Sequence, residues 1–178
     1  VRNDIETILC DEETIRARVK ELGAAIARDY AGKHPVLVSI LRGGVVFLAD
    51  LMRAIDMPVE IDFMSVSSYG ASTQSSGVVR IRKDIDTDIT GRHVLVVEDI
   101  VDSGLSLAYI RDYLTGHNPA SVKICALLDK PAAHKVDVQA DYLGFSIGND
   151  FVVGYGLDFA EKYRNLPYIG ILKKEVYQ

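Results

Sequence analysis

The chain is expected to fold as an α/β protein, with a central, mostly parallel, twisted sheet flanked by helices. Three observations predict this class. Strand-like and helix-like segments alternate along the whole length. The run Pro35-Val36-Leu37-Val38-Ser39-Ile40-Leu41 is apolar without alternation, as in a strand covered on both faces. Before it, Ile15, Val19, Leu22 and Ile26 recur at helical spacing, so an amphipathic helix packs on that sheet.

The elements follow in order. Asp11-Glu12-Glu13-Thr14-Ile15 opens the first helix, with acids where the helix dipole favours them. The buried strand 35–41 then runs through Arg42-Gly43-Gly44 into a second helix, 45–55. Residues 59–64 alternate and predict another strand. Residues 65–77 are rich in Ser, Gly and Thr and predict a mobile loop, with 78–83 as the return arm of a long hairpin. Residues 93–97 form the most apolar strand candidate, followed by a helix over 105–114 and a strand over 122–128. Shorter strands are expected at 142–145, 151–155 and 168–172. In such a sheet the loops after Leu41, Val97, Leu128 and Phe145 share the carboxyl edge, where open α/β sheets bind ligands. The hairpin is expected as an appendage over that edge.

A length of 178 residues suits one domain, 1–178, with a sizeable core. With 48% hydrophobic and 25% charged residues, the composition is that of a soluble globular protein. A net charge of −5 argues against nucleic acid as a main partner, because phosphate backbones need a basic face. No apolar run reaches the roughly 20 residues of a membrane span, and the start offers no apolar signal region. Cys10 and Cys125 lack metal-type spacing, so free thiols in a reducing cytoplasm are expected. His34, His93, His117 and His134 show no ligand spacing and receive no role.

The chemistry concentrates in Glu98-Asp99-Ile100-Val101-Asp102-Ser103-Gly104-Leu105-Ser106. Two adjacent carboxylates at the end of an apolar strand are costly without cationic or hydrogen-bonding partners. Sugar hydroxyls and a magnesium ion are suitable partners. The Asp-Ser-Gly turn then enters a helix, whose first N–H groups and dipole form an anion site. Ser103 and Ser106 add hydroxyls, and Gly104 allows close approach of a phosphate. Taken alone, this turn reads as an ordinary helix start with Ser103 as N-cap, and the preceding Glu98-Asp99 shifts the reading toward a ligand site. Leu41-Arg42-Gly43-Gly44 repeats the strand-to-helix pattern; taken alone it reads as a tight turn, but the two turns together suit a ligand with two separate phosphate groups. Lys130, after the strand ending at Asp129, is either a site residue or a solvated loop lysine. Phe151 is either a ring of the site or part of the core.

The stretch 98–104 resembles the phosphoribosyl diphosphate (PRPP) signature of the type I phosphoribosyltransferases. Arg42-Gly43-Gly44, Ser68-Tyr69-Gly70, Leu128-Asp129-Lys130-Pro131, Phe151-Val152-Val153-Gly154-Tyr155-Gly156-Leu157-Asp158 and Tyr163-Arg164-Asn165-Leu166-Pro167-Tyr168 narrow the resemblance to the bacterial hypoxanthine-guanine branch. It covers essentially the whole chain. The resemblance implies the type I fold, with a flexible hairpin loop over the active site and a small hood. It implies a magnesium-dependent transfer of 5-phosphoribose from PRPP to hypoxanthine or guanine. By motif, Glu98 and Asp99 meet the ribose hydroxyls, directly or through metal, and Asp102 lies near purine N7 as general base. Asp102, Ser103, Gly104, Leu105 and Ser106 take the 5′-phosphate. Leu41, Arg42 and Gly43 bind pyrophosphate with Arg164, and in relatives the peptide after this leucine can be cis. Lys130 reads the 6-oxo group, Phe151 stacks on the purine and the Val152 backbone contacts its edge. Asp158 serves the purine site and a second magnesium. Ser68 and Tyr69 belong to the closing loop. Position 42 departs from the many relatives that carry Lys, replacing a point charge by a planar fork.

The resemblance also implies a homo-oligomer, dimer or tetramer, in the cytoplasm. Two other readings stand beside the salvage enzyme. One is a PRPP-sensing regulator that binds nucleic acid, which calls for an added domain or a basic face. The other is a transferase for xanthine or another 6-oxopurine.

Overall fold

The computed structural model describes residues 1–68 and 79–178. In chain order, β1 (Ile5–Cys10) leads into α1 (Glu12–Asp29). Asp11 caps this helix by accepting the Thr14 N–H at 2.8 Å, and Glu12 and Glu13 occupy its first turn. Ile15, Val19, Leu22 and Ile26 are buried, as their spacing predicts. β2 (Val36–Ile40) is buried at every position. It is followed by α2 (Val45–Ala54), β3 (Glu60–Ser68) and β4 (Val79–Lys83). Then come β5 (His93–Val101), α3 (Leu105–Thr115), β6 (Ser121–Asp129) and β7 (Tyr142–Ser146). β8 (Val152–Val153), β9 (Ile169–Leu172) and α4 (Lys174–Tyr177) complete the described elements.

Six strands form one sheet in the order β4-β3-β2-β5-β6-β7, with every pairing parallel except β3 with β4. The apolar side chains alternate between two cores. Leu37, Leu95, Val97, Cys125 and Leu127 pack under α1 and α2. Val36, Val38, Val94, Val96, Ile124 and Ala126 pack with Leu107, Ile110 and Leu114 of α3 on the opposite face. Burial on both faces explains why these strands are apolar throughout. The strand order reverses direction between β2 and β5. That is the switch point at which the loops following two neighbouring strands turn away to opposite faces and leave a crevice.

The second sheet, β1-β9-β8, is antiparallel and forms a hood with its own core. That core contains Val153, Tyr163, Leu166, Tyr168 and Leu172, with Phe151, Phe159 and Tyr177 packed against it. Sequence patterning misses β1, because four consecutive residues, Glu6-Thr7-Ile8-Leu9, are exposed and no inward face alternates. The strand expected over 151–155 shortens to Val152–Val153, since Gly154 (φ 99°) and Tyr155 (φ 51°) turn the chain. The strand expected to end at Val97 continues to Val101, paired with β6 as Glu98↔Ala126 and Ile100↔Leu128. The return arm of the hairpin is not an appendage. β4 is the outer strand of the main sheet, with Ser68 opposite Val79. The expected closing-loop residue Ser68 thus ends β3, and Tyr69 lies outside the described residues. Both cysteines are free and buried, and burial pushes the Cys125 thiol up to about 12. No described helix is long and apolar enough to cross a membrane.

Asp62 anchors the segment between β4 and β5. Its buried carboxylate accepts backbone N–H groups from Phe63, Asp86 and Thr87 at 2.7–2.9 Å. Burial alone raises a carboxyl, but here the N–H donors of Thr87, Phe63 and Asp86 outweigh it and hold Asp62 below its ordinary value. The lowered carboxyl adds stability that is complete above the unfolded-state value, about pH 4, and fades as pH falls through the lower folded value. Asp62→Ala is therefore expected to cost about 2–3 kcal/mol in urea unfolding at neutral pH. The gap between variant and parent should narrow below about pH 4; a gap independent of pH would contradict this account.

Candidate active site

Three chain segments meet at the switch point between β2 and β5. Gly43, in the turn after β2, lies so close to Asp99 that a Cβ there would collide with the carboxylate. Gly156 takes φ 100°, and a Cβ on it would collide with the Gly43 carbonyl. The turn after β2, the acidic end of β5 and the loop after β8 are thus in direct contact. The Leu41–Arg42 peptide is cis. Leu41 N–H donates to the Met64 carbonyl at 2.8 Å, which ties this turn to β3.

Glu98 and Asp99 sit half-buried at the end of β5. The Glu98 carboxylate accepts the Asp99 N–H at 3.0 Å, and Asp99 accepts the Ile100 N–H at 2.7 Å. Desolvation, reinforced by the Asp99 charge, pushes Glu98 well above the ordinary glutamate range. Two crowded carboxylates with no cationic partner among the described residues form a hard-oxygen site that a divalent cation would relieve. Among the described residues no cluster of three or more His, Cys, Asp or Glu has metal-binding geometry. Asp158 accordingly does not join Glu98 and Asp99. It pairs instead with Arg164 at 3.4 Å and accepts the Glu161 N–H at 2.9 Å.

Downstream, Asp102 is exposed and the turn Ser103-Gly104 leads into α3. The N-cap is Gly104 (φ 82°), not Ser103, and no side chain caps the helix from that position. A side chain at Gly104 would collide with Val138, so glycine is required for both conformation and space. Ser103 Oγ accepts the Leu105 N–H at 3.3 Å. Leu105 and Ser106 are half-buried in the first turn, at the positive end of the helix dipole.

Lys130 lies beside this turn. Its N–H donates to the Val101 carbonyl at 2.9 Å, and Lys135 N–H donates to the Ser103 carbonyl at 2.8 Å. The half-buried Lys130 is bracketed by Asp129 and His134, whose Oδ1 and Nε2 are 2.6 Å apart. His134 therefore closes the turn that carries Lys130, a contact its sequence spacing did not signal. Phe151 is half-buried where the hood begins, stacked on Tyr177 and edge-on to Phe159. Val152 is buried in β8, which is the edge strand of its sheet.

Arg164 Nη1 donates to the Gly156 carbonyl at 2.7 Å, and Gly156 N–H returns to the Arg164 carbonyl at 2.9 Å. Glu161, absent from the sequence-based set, joins the cations: it meets Arg42 at 3.1 Å and Arg164 at 3.2 Å. Hydrogen bonding to Arg164 chiefly, then the Arg42 charge, lowers the Glu161 carboxyl. An acid placed between Asp158 and Arg164 in sequence is the one signal that could have marked it. A cavity of about 420 Å³ bounded by Arg16, Lys20, Asp50, Arg53 and Tyr155 contains none of the predicted site residues.

The fold places two strand-to-helix turns and a carboxylate pair at one sheet edge, and comparison with known proteins shows the class to which the fold belongs: the phosphoribosyltransferases. A family model described as a phosphoribosyl transferase domain matches residues 7–160, and the chain belongs to this family. It is 54% identical over 177 residues to the hypoxanthine-guanine phosphoribosyltransferase of Streptococcus pneumoniae, covering 99% of this chain and 98% of the relative. Its identity to the hypoxanthine-guanine phosphoribosyltransferase of Bacillus subtilis is 51% over 178 residues, 100% of this chain and 99% of the relative. A crystal structure of a hypoxanthine phosphoribosyltransferase from Staphylococcus aureus superposes with a TM-score of 0.97 at 48% identity, covering 99% and 96% of the two chains.

The raised Glu98 carboxyl sets a sign for stability. A group whose folded value exceeds its unfolded value, about 4.3, stabilises below that pH and loses the contribution as pH rises through the folded value. Glu98→Gln is therefore expected to raise the Tm of the ligand-free protein at neutral pH, by roughly 2–4 °C per kcal/mol released. Scanning calorimetry at pH 4 and pH 7 checks this: the gain should be confined to the higher pH.

Proposed function

We propose that this protein transfers the 5-phosphoribosyl group of PRPP to hypoxanthine or guanine, giving IMP or GMP and pyrophosphate, as a purine-salvage enzyme. The observation that carries the proposal is the meeting of Gly43, Asp99 and Gly156 at the sheet's switch point. It joins a phosphate turn, a carboxylate pair and a cationic loop within one crevice. The whole-length likeness to hypoxanthine-guanine phosphoribosyltransferases supplies the acceptor.

The proposed roles rest on the motif resemblance, and the placement of the residues supports them. Residues Asp102, Ser103, Gly104, Leu105 and Ser106 hold the 5′-phosphate at the start of α3. Glu98 and Asp99 hold the ribose hydroxyls. Leu41, Arg42, Gly43 and Arg164 receive the pyrophosphate, which displaces Glu161 from between the two guanidinium groups. Magnesium would be held by Glu98 and Asp99 with substrate oxygens, and by Asp158 at a second position. It suits sites that combine one or two carboxylates with phosphates, and when bound it neutralises charge on the leaving pyrophosphate. The carboxylate pair and its raised Glu98 support that fit.

As the bond from the anomeric carbon to pyrophosphate breaks, positive charge grows on the ribose ring. Purine N9 attacks that carbon and forms the new bond, and the proton leaving the imidazole ring passes to Asp102 near N7. Asp102 is exposed and free to reach a ligand. Phe151 stacks on the ring, and the Val152 backbone on an edge strand has a free side for the base. Lys130 donates to the 6-oxo oxygen. The proposal includes self-association as a dimer or tetramer, supported by the exposed Val45 and Ile61, and a cytoplasmic location, supported by two free thiols.

A steady-state assay with PRPP, magnesium and each purine tests the reading. Hypoxanthine and guanine should turn over, and xanthine tests the breadth of the 2-position. Adenine presents a donor to the Lys130 donor and should fall on the order of 10⁴-fold lower in kcat/KM. Adenine turnover equal to that of hypoxanthine would remove Lys130 from the base site. Asp102→Asn should lower kcat about a hundredfold or more and abolish the acid limb of the pH profile. A wild-type kcat and profile would rule out the general-base role.

A further inference from the structure

Phe151 does not stand alone in the hood. Its ring stacks on Tyr177, with centroids 4.8 Å apart and planes at 24°. Phe159 meets it edge-on at 5.7 Å and 87°, and Phe159 also contacts Tyr177 at 6.4 Å and 64°. These are the offset-stacked and T-shaped geometries that aromatic quadrupoles favour. The three rings come from three separate places: the entry to β8, the loop between β8 and β9, and α4. One face and one edge of Phe151 are thereby occupied, yet the ring remains half-buried rather than enclosed. The segment bearing Tyr177 is itself fixed. Lys173 N–H donates to the Asp4 carbonyl at 2.9 Å, and Asp4 also accepts the Tyr163 hydroxyl at 2.7 Å. Val176 and Tyr177 pack against the hood core.

We infer that Tyr177 is a positioning residue for base binding: it backs the Phe151 ring so that the opposite face is held ready for the purine. The inference rests on the proposed stacking of the base on Phe151. A half-exposed phenylalanine without backing samples several rotamers, and ordering it on binding costs affinity. Tyr177 removes that cost in advance. Base, Phe151 and Tyr177 then form a three-layer stack, while none of the residues proposed to hold PRPP is among these three rings. The effect is therefore specific to the base.

The experiment measures KM for hypoxanthine, KM for PRPP, and kcat in Tyr177→Ala, Tyr177→Phe, Phe151→Ala and the Tyr177→Ala/Phe151→Ala double variant. Tyr177→Ala should raise KM for hypoxanthine about 2- to 10-fold, the worth of one aromatic pair, and leave KM for PRPP and kcat in place. Tyr177→Phe should restore the parent value, since the ring and not the hydroxyl carries the contact. In the Phe151→Ala background, Tyr177→Ala should add nothing. If Tyr177→Ala does not fold, Tyr177→Leu keeps bulk without a ring and should show the same base-specific rise. An unchanged KM for hypoxanthine overturns the inference, and so does an equal rise for both substrates. A lowered KM overturns it too, because Tyr177 would then cover the face the purine needs. If Phe151→Ala itself leaves KM for hypoxanthine unchanged, the stacking role of Phe151 fails and the inference fails with it.

Discussion

The parallel pairing of β2 with β5 is the constraint on which the site depends. Val36↔Val94 through Ser39↔Val97 fix the register, so the two strands reach the carboxyl edge together. Their apolar side chains leave the register no freedom, since a one-residue slip would send both cores to the wrong faces. The turn after β2 and the acids of β5 must then collide unless one side gives way. Gly43 is the side that gives way, because only a missing Cβ admits the Asp99 carboxylate. Gly156 applies the same solution against the Gly43 carbonyl and brings Arg164 and Asp158 to the cluster. Close approach of backbone is thus what concentrates unlike charges in one crevice.

Those carboxylates are held at a cost. Asp62 shows what a buried acid looks like when its purpose is structural: three N–H donors satisfy it and lower its carboxyl. Glu98 shows the opposite, with burial and a like charge raising it. One chain therefore contains both solutions. The difference separates a group whose charge the fold's own donors satisfy from one whose charge its surroundings disfavour. Glu161 between Arg42 and Arg164 is the complementary case, an anion of the protein lying between two cations that suit a phosphate.

Much of the sheet was legible in sequence because its signals are local. Strand 36–40, the stripe of α1 and the glycine-bearing turns at 43 and 104 each announce themselves within a few residues. The hood was legible in part: the segments of β8 and β9 read as short strands, but their assembly with β1 into a second sheet did not. β1 is exposed along most of its length and pairs with β9, more than 150 residues away, so no periodicity marks it. Ser103 misled for a related reason: Ser is a common N-cap, but Gly104 in a left-handed conformation takes that position and leaves the serine hydroxyl one residue back. Contacts such as Arg42 with Glu161, 119 residues apart, exist only after the sheet has formed. His134 and Asp129 lie close in sequence, yet nothing in their spacing says that the intervening Lys130 needs a closed turn.

The residues proposed for the sugar and phosphates lie on the main sheet's edge, and those proposed for the base, Phe151 and Val152, belong to the smaller hood. The two share part of one core, since Cys10, Val152, Tyr155, Leu157 and Ile169 pack in the same cluster as the side chains of α1 and α2. Gly156 abuts Gly43, and the Tyr155 hydroxyl donates to Asp50 of α2 at 2.5 Å. Burial and the Asp50 partner raise the Tyr155 phenol, so the hydroxyl keeps its proton and remains a donor. Asp50 lies on the helix that follows the Arg42-Gly43-Gly44 turn. The hood is therefore joined to the Arg42-Gly43-Gly44 turn twice, directly where Gly156 meets the Gly43 carbonyl and indirectly through Tyr155, Asp50 and the helix that the turn begins.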